Sequence, residues 1–207
     1  MITINNTEVH GWHAAIRGMR NPLKSWANSD SEEIRGNVRI GERDAELMRK
    51  LVAGGSEHRK FLRMIHVSAD ILAPDYWWKE YATYKVGTTE NSTSTMHTIH
   101  KKEFTMSDFS TDHLTTVGKQ NLEFIIDQLN AARHYYLTTK DKSFWYDMIS
   151  LLPMSYNYLR TVDLNYEVLS TMYRQRKSHK LEEWRVFCAF VEALPYSWLI
   201  TGGDAGA

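Results

Sequence analysis

"NYEVLSTMYRQR", Asn165 to Arg176, is the stretch on which the reading of this chain turns. Leu169 and Met172 stand three apart, the step of one helix face. Eleven residues at about 100° each close three turns to within about 20°. Asn165 and Arg176 therefore fall on the same side as Leu169 and Met172. A helix with Asn and Arg along its apolar stripe buries polar groups, and these need partners. Two kinds of partner fit. One is internal, such as Glu183, seven residues beyond Arg176. The other is an anionic ligand, which suits the planar guanidinium fork. The ends of the segment are roughly 16 Å apart at about 1.5 Å per residue. Asn165 and Arg176 would thus touch one extended ligand or two different ones.

Working outward, a helical pattern is expected from Asp163 through Met172, and another over "LEEWRVFCAFVEAL", stopped by Pro195. The tail "TGGDAGA" is expected to fray. Upstream, "KSFWYDMISLLPMSYNYLR" reads as a helix interrupted at Pro153. "TDHLTTVGKQNLEFIIDQLNAARHYYLTT" reads as a long helix, with Leu122, Ile125, Ile126 and Leu129 at three- and four-residue steps. "DYWWKEYATYKV" reads as a helix opened by Asp75. Before it, "HRKFLRMIHVSADIL" alternates in part and reads as a strand ended by Pro74. "GERDAELMRKLVAGG" is a short helix stopped by Gly54-Gly55. Residues 1–40 read as strand and loop. The fold class is α+β: one domain over 1–207, mostly helical, with a small antiparallel sheet.

Composition narrows the function. With 43% apolar residues and seven Trp, 11 Tyr and seven Phe, the chain can fill a sizeable core. Its 25 basic and 25 acidic residues cancel, so no global field points to nucleic acid or a membrane surface. The lone Cys188 sits in an apolar run and reads as a small buried hydrophobe. No apolar run approaches the roughly 18–20 residues of a bilayer span. "MITINNTEVHGW" lacks a signal-peptide pattern, and a cytoplasmic protein is expected. "VAGGS" has neither phosphate-loop nor dinucleotide spacing. His10/His13 and His97/His100 are each three apart, too sparse a pattern to define a site, so no metal is expected.

One more segment stands out. "YKVGTTENSTSTMH", Tyr84 to His97, carries four Thr and three Ser or Asn. It follows the aromatic "PDYWWKEYATY". Tyr76, Trp77, Trp78 and Tyr81 would either stack on a flat ligand or belong to core or subunit interface.

At these residues the chain resembles the flavin-dependent thymidylate synthases, the ThyX family. That family carries an LP, then a stretch of the form NxRxLxxFLxLRxDxHAQWEI. Leu152-Pro153, Asn165, Leu169 and Arg176 fall in place, and "KLEEWRVF" stands where the family has HAQWEI. "GSEHRKF" resembles FEHxxF, giving Glu57, His58 and Phe61. The hydroxyl-rich segment lies where the family has RHRxxSxNExSxRY. Asn91 and Ser94 match the signature Asn and second Ser, and Thr89 stands for the first. The resemblance is collinear over about residues 45–195.

The departures carry physical weight. Tyr84, Lys85 and Val86 occupy the place of Arg-His-Arg, and a second placement sets Lys79-Glu80-Tyr81 there. Glu167 replaces the NxR Arg, and Ile149 replaces an Arg before the LP. Each lost charge-assisted hydrogen bond is worth roughly 1.5–3 kcal/mol. Lys79, Lys85, Lys101, Lys102, Arg174 and Lys180 could replace some of these cations.

The resemblance implies that the chain binds FAD and a dUMP-like pyrimidine nucleotide and transfers a one-carbon group to pyrimidine C5. NADPH and methylenetetrahydrofolate would be co-substrates. Arg176 and Ser94 would contact the nucleotide at the reacting centre. His58, Asn165, Asn91 and Thr89 would hold the flavin. A homotetramer with shared sites is implied. The altered signature leaves a second reading open: a protein of this fold that has lost thymidylate synthesis and serves in binding or structure.

Overall fold

A computed structural model describes residues 1–202; residues 203–207, the end of the expected fraying tail, lie outside the described residues. In chain order the elements are β1 (Thr3–His10), α1 (Trp12–Arg20), β2 (Glu32–Ile34), β3 (Asn37–Arg39), α2 (Glu42–Ala53), β4 (His66–Pro74), α3 (Asp75–Tyr81), β5 (Thr88–Ser92), α4 (Thr95–Thr98), α5 (Thr116–Thr139), α6 (Lys142–Ser150), β6 (Asn157–Asn165), α7 (Tyr166–Arg176), α8 (Glu182–Glu192) and α9 (Trp198–Thr201). Four strands form a sheet in the order β1-β4-β6-β5, and β2 and β3 form an antiparallel ribbon. The larger sheet is antiparallel. Tyr166 N–H donates to Ile65 C=O and Asp75 N–H to Tyr156 C=O, each at 3.0 Å. Ten residues forward beside β4 is ten residues back beside β6. The fold class is therefore α+β, as expected. No helix among the described residues is long and apolar enough to cross a membrane.

The chain forms two compact units, residues 1–3, 71–83 and 91–161, and residues 4–70, 84–90 and 162 onward. The division falls within the strands of the larger sheet.

In the first unit, α5 and α6 form a helical hairpin. Thr115 caps α5 by accepting from Gly118 N–H at 3.1 Å. Lys140, at φ 61°, turns the chain, and Asp141 caps α6 by accepting from Ser143 N–H at 2.9 Å. Leu122, Ile126 and Leu129 of α5 are buried with Phe104, Phe109 and Met148. Trp77, Trp78 and Tyr81 of α3 are at most 1% exposed, so these three are core side chains. Trp78 Nε1 donates to Tyr158 C=O at 3.2 Å, and the Arg160 guanidinium lies 4.4 Å over its ring.

In the second unit, α7 packs against α8 and α9. Tyr166 is fully buried, meets Trp12 edge-on at 5.3 Å and donates to Pro195 C=O at 2.6 Å. Asp44, also fully buried, organises the loop before α2. It accepts from Arg20 Nε at 2.6 Å and from the Ser29 and Ser31 hydroxyls at 2.7 Å each.

Three expectations are corrected. Residues 12–20 are the helix α1, not loop or strand. Gly11 opens it at φ 94°, where an added Cβ would lie 1.9 Å from Met64 C=O. The helix expected beyond Pro153 is instead β6, held between β4 and β5; sheet pairing overrides the helical spacing there. The helix expected from Asp163 begins at Tyr166, because Asp163 to Asn165 still belong to β6.

Candidate functional site

Arg176 closes α7, and its setting is aromatic. Its Nε donates to Tyr84 Oη at 2.8 Å, and Tyr84 Oη in turn donates to Gln175 Oε1 at 2.8 Å. The guanidinium lies 4.7 Å over the Trp184 ring and 5.5 Å from the Tyr84 centroid. Trp184 is fully buried and Tyr84 nearly so. Stacking and a directed hydrogen bond together fix the plane of the fork. A fork fixed before a ligand arrives loses less entropy on binding one.

Asn165 sits at the other end of α7. It is the N-cap, not part of the apolar stripe: its Oδ1 accepts from Val168 N–H at 3.0 Å. Its Nδ2 donates to Gly87 C=O at 3.5 Å. Gly87 has φ 84°, and a Cβ there would stand 2.9 Å from Asn165 Nδ2. The close approach and the left-handed backbone both require glycine. For Asn165, then, internal partners are in place.

Glu167, at the family's NxR arginine position, does not stand alone. Arg59 Nη2 and Nε donate to its Oε1 at 3.0 and 3.2 Å, and the two side chains are 11% and 16% exposed. Arg59 comes from "GSEHRKF", beside His58. The charge at 167 is inverted relative to the motif, and a guanidinium reaches it from residue 59.

The remaining expected site residues are less enclosed. His58 and Thr89 are exposed and belong to the second unit, with Asn165 and Arg176. Asn91 and Ser94 belong to the first unit. Asn91 is exposed on β5, whereas Ser94 is half-buried ahead of α4 without capping it through its side chain. Among the substitute cations, Lys79 pairs with Asp75 at 2.9 Å and Lys102 with Asp108, while Lys85, Lys101 and Lys180 are exposed. Arg174 Nε returns to Ser170 C=O at 3.2 Å. Cys188 is buried, and that burial, with Glu192 nearby, pushes its thiol up to about 11. It is no nucleophile at neutral pH.

Sequence reasoning missed Tyr84, Gln175 and Trp184 as the setting of Arg176, and Arg59 as the partner of Glu167. Part of the signal for the second pair was present: an acid, Glu167, stands at the arginine position of one family landmark, and the other landmark carries the basic Arg59.

No family model matches the chain, and no curated protein does. Solved structures do match. The flavin-dependent thymidylate synthase ThyX from Helicobacter pylori, complexed with FAD and dUMP, aligns with TM-score 0.68 at 17% identity, covering 97% of this chain and 98% of that one. The UMP/dUMP methylase PolB from Streptomyces cacaoi, bound with 5-Br dUMP, aligns with TM-score 0.60 at 13% identity, covering 93% and 88%. The chain is thus an α+β protein built as these nucleotide-methylating enzymes are. Its fold is the ThyX fold, in a sequence that has diverged far from both.

Proposed function

We propose that this chain binds FAD and a dUMP-like pyrimidine nucleotide and transfers a one-carbon group to pyrimidine C5. The observation that carries the reading is the clamped Arg176. It keeps the motif position at the end of α7 and is held in plane by Tyr84 and Trp184. In this reading Arg176 contacts the nucleotide, and Ser94 donates to its phosphate or base. His58, Asn165, Thr89 and Asn91 lie against the flavin. Reduced flavin, when bound, supplies the hydride, and methylenetetrahydrofolate supplies the carbon.

The residues fit these ligands with fewer cations than the family signature provides. Thr89, Asn91 and Ser94 keep the neutral donors of the signature, Tyr84 and Val86 stand where it has arginines, and Arg59 is committed to Glu167. Neutral hydrogen bonds hold an anion less tightly than guanidinium does. The nucleotide affinity is therefore lower than a full signature would give.

That same ion pair favours a second reading, in which the fold is kept and thymidylate synthesis is lost. Tritium release from [5-³H]dUMP, with FAD, NADPH and methylenetetrahydrofolate supplied, separates the two. Release that depends on this protein and falls in Arg176→Ala supports the first. Absence of release with FAD demonstrably bound supports the second.

A further inference from the structure

Three ligand-type side chains stand in a row across neighbouring strands, outside the candidate site described above. His10 ends β1, His66 opens β4 and Asp163 lies near the end of β6, and these strands are adjacent in the order β1-β4-β6. All three residues belong to the second unit. The register is pinned by Asn6 Nδ2, which donates to Asp70 Oδ2 at 2.8 Å, four residues from His10 and from His66. Adjacent strands lie about 4.8 Å apart, so residues at one level on one face meet. The His10 and His66 rings stack at 5.5 Å with an 18° tilt. His66 Nδ1 is 2.7 Å from Asp163 Oδ1, and Asp163 Oδ2 accepts from the Ser68 hydroxyl at 2.9 Å.

We propose that His10, His66 and Asp163 form a binding site for a divalent first-row transition-metal ion. One ligand atom from each lies within 4.8 Å of the others. Metal bonds of about 2.0–2.2 Å at tetrahedral angles set donors about 3.4 Å apart. The widest gap closes with a shift of at most about 1.5 Å. His10 is exposed, and a side-chain rotation supplies that movement. Two imidazoles and one carboxylate select zinc, cobalt, iron or nickel over magnesium and calcium, which prefer oxygen ligands. Ser68 is the outer partner that orients the carboxylate, as metal-bound carboxylates require. A cleft of about 790 Å³ is lined by His10, with Thr7, His13 and Glu33 also on its walls. The side chains of His66 and Asp163 are 37% and 36% exposed, so water or a small ligand can complete the coordination. The site is invisible in sequence spacing because its members are 56 and 97 residues apart and meet only through the sheet.

The test titrates Co²⁺ alone into the full-length protein and reads its visible d–d absorption, followed by displacement with Zn²⁺. The wild-type protein is expected to saturate at one equivalent per chain. His10→Ala and Asp163→Asn are each expected to weaken binding at least tenfold, while His134→Ala, an exposed histidine elsewhere, leaves it unchanged. His10→Ala removes an exposed side chain, so an unchanged far-UV spectrum keeps its result decisive even if Asp163→Asn fails to fold. No saturable cobalt band in the wild type, or equal affinity in His10→Ala, overturns the site.

Discussion

Arg59 and Glu167 form an ion pair across 108 residues of sequence, with Arg59 Nη2 3.0 Å from Glu167 Oε1 and neither side chain more than 16% exposed. The pair sits between the buried and exposed regimes, so removing one partner is expected to cost about 2–3 kcal/mol. Glu167→Arg alone should cost at least as much, since it sets two guanidiniums together. The exchange Arg59→Glu with Glu167→Arg should recover at least half of the loss. Urea denaturation of the two single variants and the double variant measures the coupling.

Arg176 and Tyr84 make a second testable pair. If Arg176 contacts a nucleotide, Arg176→Ala removes one or two charge-assisted hydrogen bonds and should weaken dUMP binding about 10- to 100-fold. Arg176→Lys keeps the charge but loses the fork and its stacking, and should recover little. Tyr84→Phe leaves the rings in place and removes the acceptor for Nε. A smaller loss, about fivefold, is expected. Isothermal titration with dUMP reads all three.

Asn165 should behave as a helix cap. Asn165→Ala is expected to lower stability by about 1–2 kcal/mol, and Asn165→Asp or Asn165→Ser to restore most of it. Gly87→Ala should be at least as damaging, because it combines a left-handed backbone with a contact of 2.9 Å. Thermal unfolding followed by circular dichroism is the measurement.

Asp44 should govern acid stability. Burial alone would raise its pKa, but hydrogen bonds from Ser29, Ser31 and Arg20 outweigh it and hold the carboxyl below its ordinary value. A carboxyl with a depressed folded pKa contributes stability above its unfolded pKa and loses it as pH falls through the folded one. Stability should therefore drop below about pH 4. In Asp44→Asn that acid limb should flatten, at the expense of neutral-pH stability. Urea midpoints between pH 3 and pH 7 show both effects.

The homotetramer implied by the family resemblance is tested by gel filtration at micromolar concentration. A mass near four chains is expected, and a monomer would refute it.

Much of the fold was legible because single-residue chemistry punctuates it. Pro74 ends β4, Asp75 opens α3, and the spacing of Leu122, Ile126 and Leu129 marks the buried face of α5. The misreadings share a cause. The start of α1 depends on Gly11 accommodating the Met64 carbonyl, a contact no local pattern reveals. The strand β6 depends on having β4 and β5 on either side. The candidate site divides in the same way. Asn165 and Arg176 were found by position, but helical spacing placed Asn165 on the apolar stripe where the structure makes it a cap. Tyr84, Trp184 and Arg59 reach their partners through tertiary packing, and helical spacing cannot rank such contacts.

Fluorescence titration of FAD into the purified protein tests the central reading most directly. Saturable quenching with a micromolar or tighter Kd, weakened in Asn165→Ser and His58→Ala, is the expected result. A colourless protein that leaves FAD fluorescence unchanged up to tens of micromolar would contradict it.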